Sequence, residues 1–287
     1  MISLSLLGSI FLLTSSNNDM IKYVLVTGAN KGIGKAICQK LVNEYPEVHV
    51  LLASRSKERG EAAVKDIASD RVSLVEMDVA SDDSVKAAAS QVKTTIGSVP
   101  LYGIVNNAGV AWDHKLVDVV NINFFGTKRV CEAFGPLIIR PGGRIVNIAS
   151  ASGPMFVNGD CHQMPALKRT FAEPLGGSIE NLVEIAHRET SIENAYGFSK
   201  ALVNAYTALL AKESPDLIVN SCTPGYIKTD LAPSGTSTVE HGAKTPVKLL
   251  MDPAFNDIPT GRYYGSDGVR SPLDRYRGPG DPPFEGP

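Results

Sequence analysis

Tyr196 and Lys200 stand four residues apart in Tyr196-Gly-Phe-Ser-Lys200, a spacing that puts a phenol and an ammonium on one face of a helix. Such a pair can pass a proton to a carbonyl oxygen while hydride reaches the carbon, or run both transfers backwards on an alcohol. A phenol near its ordinary pKa of about 10 is a poor base at neutral pH. A lysine charge one turn away would favour tyrosinate, and Ser150 is placed to hydrogen-bond the same substrate oxygen. Hydride needs a carrier. Thr27-Gly-Ala-Asn-Lys-Gly-Ile-Gly34 follows an apolar run and opens an amphipathic one, the context in which a glycine-rich turn holds a dinucleotide pyrophosphate. Each motif alone is weak; together they describe hydride and proton transfer in one site.

The elements that must position these residues alternate short apolar runs with longer helical patterns, as βαβ units do. Strands are predicted at Tyr23–Val26, His49–Ala53, Val72–Glu76, Leu101–Asn106, Arg144–Ser150 and Ile218–Cys222, with a short one near Arg262–Tyr264. Several are continuous apolar runs, which suits a parallel sheet covered on both faces. Helices are predicted at Ile33–Asn43, Ser56–Ser69, Asp82–Ile96, Val119–Phe134, Tyr196–Lys212 and near Ser237–Leu250. Residues 153–193 break the rhythm and read as an insertion beside the crevice, with one helix near Ser178–His187. From Ser271 onward the chain is rich in Pro, Gly and Arg and reads as an extended segment that wraps or leaves the domain.

Around the glycine turn each residue type has a use. Gly28 makes the tight turn, while Gly32 and Gly34 let backbone approach phosphate and the helix close on the sheet. Asn30, Lys31 and Ile33 fill the turn, and the helix start offers free amides to a phosphate. The second strand ends Ala53-Ser54-Arg55-Ser56, with no carboxylate to accept from ribose hydroxyls. Lys31 and Arg55 would instead meet a 2′-phosphate, with Arg59 adding less and Lys57 solvated at a helix start, so the expected cofactor is NADP(H). Asp78 and Val79 follow the third strand; Asp78 reaches toward an adenine amino group or, about as well, caps its own loop. Asn106-Asn-Ala-Gly109 ends the fourth strand, where Ala108 and Gly109 admit the cofactor and the asparagine side chains hold nearby backbone.

At 287 residues and 30.6 kDa, with net charge -2, the chain suits one large core and has no basic field for nucleic acid or membrane. The expected organisation is one catalytic domain over 20–270, the insertion 153–193 within it, and a tail at 271–287. Residues 1–19 are mostly apolar and lack a basic start, so they read as an upstream extension or a targeting segment; a cytoplasmic protein follows from the first. Cys38, Cys131, Cys161 and Cys222 are scattered, and no His, Cys and Asp cluster has metal-ligand spacing, so thiols and no metal are expected.

Thr27-Gly-x-x-x-Gly-x-Gly34, Asn106-Asn-Ala-Gly109, Ser150 and Tyr196-x-x-x-Lys200 together resemble the short-chain dehydrogenase/reductase family, over about Ile21 to Tyr264. The resemblance implies a Rossmann-type doubly wound parallel sheet in a three-layer α/β/α arrangement, with an insertion before the tyrosine helix. It also implies an Asn123, Ser150, Tyr196 and Lys200 active site, in which Asn123 supports a water-linked proton relay; read locally, Asn123 is a helix-bend residue. Asn123-Phe-Phe-Gly-Thr127, Asn147-Ile-Ala-Ser150 and Pro224-Gly-Tyr-Ile-Lys-Thr-Asp230 resemble animal carbonyl reductases most, with Ala149 a mild departure. Pro224, Gly225, Ile227 and Thr229 would then border the nicotinamide. The long gap from Ser150 to Tyr196 implies an insertion that covers the oligomerisation surface and leaves a monomer. The implied activity is NADPH-dependent reduction of aldehydes, ketones or quinones. A hydroxysteroid or other secondary-alcohol dehydrogenase would look the same at the catalytic end, and a non-catalytic nucleotide-binding regulator is a third class. Trp112, Met155, Phe156 and Tyr226 are candidates for an apolar pocket, although packing explains each more simply. His114 reads as a surface histidine and Cys222 as a buried filler.

Overall fold

Apolar side chains on both faces of a strand can be buried only if helices cover both faces, and the chain meets that demand along most of its length. A computed structural model describes residues 21–286; the apolar leader over 1–19 lies outside the described residues. The first half runs β1 (Lys22–Val26), α1 (Gly32–Glu44), β2 (Val48–Ser54), α2 (Lys57–Ile67), β3 (Val72–Glu76), α3 (Asp82–Ile96) and β4 (Leu101–Asn106). Next come α4 (Leu116–Val120), a π-turn over Asn121–Phe125, α5 (Gly126–Phe134) and β5 (Arg144–Ile148). The insertion follows as α6 (Ser152–Asn158), α7 (Pro165–Ala172) and α8 (Ile179–Arg188). It leads into α9 (Ala195–Glu213), β6 (Ile218–Cys222), α10 (Val239–Met251), β7 (Tyr263–Tyr264) and β8 (Arg270–Ser271).

The strands form one sheet in the order β3-β2-β1-β4-β5-β6-β7-β8, parallel throughout except that β8 runs antiparallel to β7. This is a three-layer α/β/α Rossmann fold. On one face Val24, Val50 and Leu52 pack with Ile37 and Leu41 of α1 and Val247 and Leu250 of α10. On the other, Leu25, Leu51 and Ile104 meet Val92 of α3, Phe124 and Phe134 around α5, and Leu202 and Leu209 of α9. Strand order reverses between β1 and β4, which leaves a crevice above their carboxyl ends.

Two parts depart from the expected elements. The helix predicted over Val119–Phe134 starts at Leu116 and contains the π-turn, which places the bend at Asn123. The insertion holds three helices where one was expected. In it, Phe156 and Phe171 close an aromatic triangle with Phe198 of α9, with ring centroids 5.7 to 6.2 Å apart. With Leu182 and Ile185 of α8 they bury the outer side of α9, which explains why that helix is apolar nearly all round. In the tail, Arg277 donates to Asp267 at 2.7 Å and to the carbonyls of Asp281 and Pro282.

Candidate active site

The crevice at the switch point is a cavity of about 610 Å³, a size suited to a small-molecule ligand. Its floor is the glycine turn. Gly28 has φ +61°, and a Cβ there would stand 2.8 Å from the Cα of Ala108. A Cβ on Gly34 would lie 2.5 Å from Asn107 Nδ2 and 2.6 Å from the Gly28 carbonyl. Any larger residue would push the turn off the end of β4. The two ends are laced together: Asn107 Nδ2 donates to the Thr27 carbonyl at 2.9 Å, and Thr27 Oγ1 accepts from the amides of Asn107 and Ala108, both at 3.0 Å. Lys31 begins α1 without a side-chain cap, so the first-turn amides of Gly32 and Ile33, both on the cavity wall, are left for an anion.

Arg55 and Arg59 reach the same wall, as do Asn30, Lys31, Asp78 and Val79. Asp78 lines the cavity, and its Oδ1 accepts from the Ala80 amide at 3.0 Å, which caps its own loop. Lys57 lies off the wall and faces Glu61 at 4.0 Å. These features, a glycine cradle that a Cβ would fill and cations at the end of β2, fit a dinucleotide carrying an extra phosphate.

The chemical end is held by α9, whose N-cap Asn194 accepts from the Gly197 amide at 2.9 Å. Tyr196 is half-buried on the cavity wall. Burial pushes its phenol above the usual range, and a hydrogen bond with Ser150 opposes the rise. Lys200 is 4% exposed; its Nζ donates to the Ile148 carbonyl at 2.8 Å and lies 5.6 Å from the Tyr196 ring centroid. Burial pushes the ammonium down to about 8, with Cys222 opposing. Both shifts favour the neutral forms, and so oppose the tyrosinate that the lysine charge would favour. Ser150 is fixed in a turn, accepting from the Ser152 amide at 3.2 Å and donating to Ser152 Oγ at 3.3 Å.

Asn123 is 1% exposed in the π-turn and behaves like an extra peptide group. Its Oδ1 accepts from the Val110 amide and its Nδ2 donates to the Val110 carbonyl, both at 2.9 Å. Nδ2 also reaches Ser199 Oγ at 2.9 Å. The loop after β4 is thereby clamped beside Lys200, whose Nζ lies 3.6 Å from where a Cβ on Gly109 would be. Two residues beyond the clamp, Trp112 is 69% exposed, and its ring centroid lies 5.1 Å from that of Tyr196.

Several expected positions fall elsewhere. Asn106 does not line the cavity: it is 3% exposed, with Nδ2 bonded to Asn147 Oδ1 at 2.9 Å and to Cys131 Sγ at 3.2 Å. Asn107 takes the wall position instead, because successive strand residues face opposite ways. Ala108, Gly109, Pro224 and Thr229 are on the wall. Gly34, Gly225 and Ile227 stand behind it, Ile227 buried against Gly242. Trp112 and His114 line the cavity, whereas Met155 and Tyr226 are exposed away from its wall and Phe156 is core. Sequence reasoning missed Met77, Ile122, Ala149, Asp230 and Leu231, all on the wall. Asp230 ends a motif already singled out, so a signal for it existed. All four cysteines are buried and unbridged. Among the described residues no helix is long and apolar enough to cross a membrane.

Residues 22–162 match the family model described as short chain dehydrogenase. That match stops short of α9, but two curated proteins span it. One is the (+)-neomenthol dehydrogenase of Arabidopsis thaliana, 31% identical over 85% of this chain and 95% of its own. The other is carbonyl reductase (NADPH) 3 of Rattus norvegicus, 32% identical over 84% of this chain and 95% of its own. The chain belongs to the short-chain dehydrogenase family. A solved member of similar shape is the salutaridine reductase of Papaver somniferum, with TM-score 0.74 and 26% identity over 85% of this chain and 99% of that one. As a short-chain dehydrogenase, the chain carries its cavity where the fold places ligands, beyond the carboxyl ends of the strands.

Proposed function

We propose that this short-chain dehydrogenase is an NADPH-dependent carbonyl reductase that turns aldehydes, ketones or quinones into alcohols. The observation that carries this is the Tyr196 phenol, which burial raises, on the same cavity wall as Arg55 and Arg59. β2, which Arg55 follows, and β5, which Ser150 follows, are separated by β1 and β4, roughly 14 Å at the usual strand spacing, and Tyr196 hydrogen-bonds Ser150, so the cations and the phenol stand apart. When bound, the cofactor supplies hydride from its nicotinamide ring. The chain does the rest. Gly28 and Gly34 let backbone close on the pyrophosphate, and the open start of α1 meets its charge. Arg55, Arg59 and Lys31 meet the 2′-phosphate.

Tyr196 Oη gives its proton to the carbonyl oxygen, Ser150 Oγ hydrogen-bonds that oxygen, and Lys200 holds the nicotinamide ribose. Asn123 fixes the loop that forms the facing wall. Trp112, Ile122 and Leu231 make part of that wall apolar, which fits an apolar substrate; a phenol raised by burial fits reduction better than alcohol oxidation. The enzyme acts as a monomer, since the insertion already occupies the outer side of α9. A cytoplasmic location fits four unbridged thiols. Steady-state kinetics of Arg55→Asp test the cofactor assignment: KM for NADPH rises about tenfold or more while KM for NADH changes little. Equal changes would overturn it.

A further inference from the structure

Lys31 is wanted in two places at once. The reductase reading asks it to meet a 2′-phosphate, yet its Nζ stands 2.5 Å from Asp230 Oδ2, a residue 199 positions away on the loop after β6. Both line the cavity. The loop that carries Asp230 is a built structure. Thr229 and Ala232 exchange backbone hydrogen bonds at 3.3 and 3.1 Å, and the Lys228 amide donates to the Ser237 carbonyl at 2.8 Å. Ile227 is buried beneath it, and the Thr229 methyl lies 3.6 Å from where a Cβ on Gly32 would be. The carboxylate is thus held beside the glycine turn. Among the described residues, Lys31 is in an ion pair, whereas Arg55 and Arg59 on the same wall are in none. Hydrogen bonding and charge from Lys31 keep the Asp230 carboxyl below its usual range.

We propose that Asp230 is a built-in competitor for Lys31 that weakens the grip on the 2′-phosphate end of the cofactor. This rests on the NADPH reading above. A phosphomonoester carries nearly two negative charges at neutral pH. To bind it, Lys31 must leave Asp230, and that cost falls only on a ligand that uses Lys31. The partners are 63% and 79% exposed, so solvent screens the pair and the effect is several-fold rather than orders of magnitude. Such a device loosens the cofactor without altering any group at the chemical end.

Calorimetric titration with adenosine 2′-monophosphate and adenosine 5′-monophosphate tests this on the wild type, Asp230→Asn, Lys31→Ala and the double variant. Asp230→Asn tightens the 2′-monophosphate about three- to fivefold, leaves the 5′-monophosphate nearly unchanged, and gives no gain in the Lys31→Ala background. An unchanged or weaker affinity for the 2′-monophosphate, equal tightening of both probes, or a gain that persists without Lys31 would overturn the proposal. A wild type with no preference for the 2′-monophosphate would overturn the NADPH reading, and the competitor role with it.

Discussion

In the proposed chemistry two groups titrate, half-buried Tyr196 and buried Lys200, and burial moves them in opposite senses on the pH scale. Neutral forms are favoured in both, so the phenol rises while the ammonium falls to about 8. Above that pH Lys200 loses its charge first, while Tyr196 still holds its proton. The alkaline limb of kcat/KM for carbonyl reduction therefore belongs to Lys200, with a midpoint near 8. Lys200→Arg removes that limb from the accessible range even where the rate is lower, because a guanidinium does not deprotonate there. A midpoint near the ordinary phenol value that Lys200→Arg leaves in place would contradict the assignment. Tyr196, Lys200 and the glycines were legible because their spacing is local. Asn107 was not. Ile104 and Val105 before it are buried on opposite faces, so alternation gave no phase by which to choose between adjacent asparagines. Asp230 ends a motif already singled out and Trp112 was an apolar candidate, but their contacts with Lys31 and Tyr196 join distant parts of the chain, which no local pattern encodes.

At the scale of elements, α9 does the most: it presents Tyr196 and Lys200 at one end and buries a long apolar surface along the rest. The insertion supplies the other half of that surface. Phe171 is 1% exposed in the triangle with Phe156 and Phe198. Phe171→Ala leaves a cavity there and costs about 3–5 kcal/mol, measured by denaturant unfolding; a loss under about 1 kcal/mol would mean that the insertion is not part of the core. The strand pattern and the long helices could be read in advance since their apolar periods are strong. α6 and α7 could not. They are 7 and 8 residues long, with Gly153-Pro154 and Pro165 in their first turns, and such short helices exist only through tertiary packing. The π-turn is similar: its cause is the two-way bond from Asn123 to Val110, made between elements.

For the whole molecule, the sheet order sets the crevice and the tail closes the far edge. The Pro- and Gly-rich composition read as a segment that wraps or leaves the domain, but the pairing of β8 with β7 and the Arg277 clamp depend on partners brought together by the fold. Burial works against the Asp267 carboxylate, but Arg277 and the amides of Gly280 and Val269 hold it below the usual carboxylate range. A depressed carboxyl stabilises the fold above its unfolded pKa and loses that contribution as pH falls through the folded one. Asp267→Asn consequently lowers Tm at pH 7, and the gap to the wild type narrows below about pH 4. A gap independent of pH would show that the clamp is not electrostatic. The central claim is that one cavity joins an NADPH site to a proton-donating tyrosine. The most direct measurement follows NADPH consumption against a panel of aldehydes, ketones and quinones, for the wild type and Tyr196→Phe, with NADPH binding measured in parallel. The wild type turns over with NADPH in preference to NADH, and Tyr196→Phe loses about 100- to 10,000-fold in rate while binding NADPH as before. Near-normal reduction by Tyr196→Phe would contradict the account.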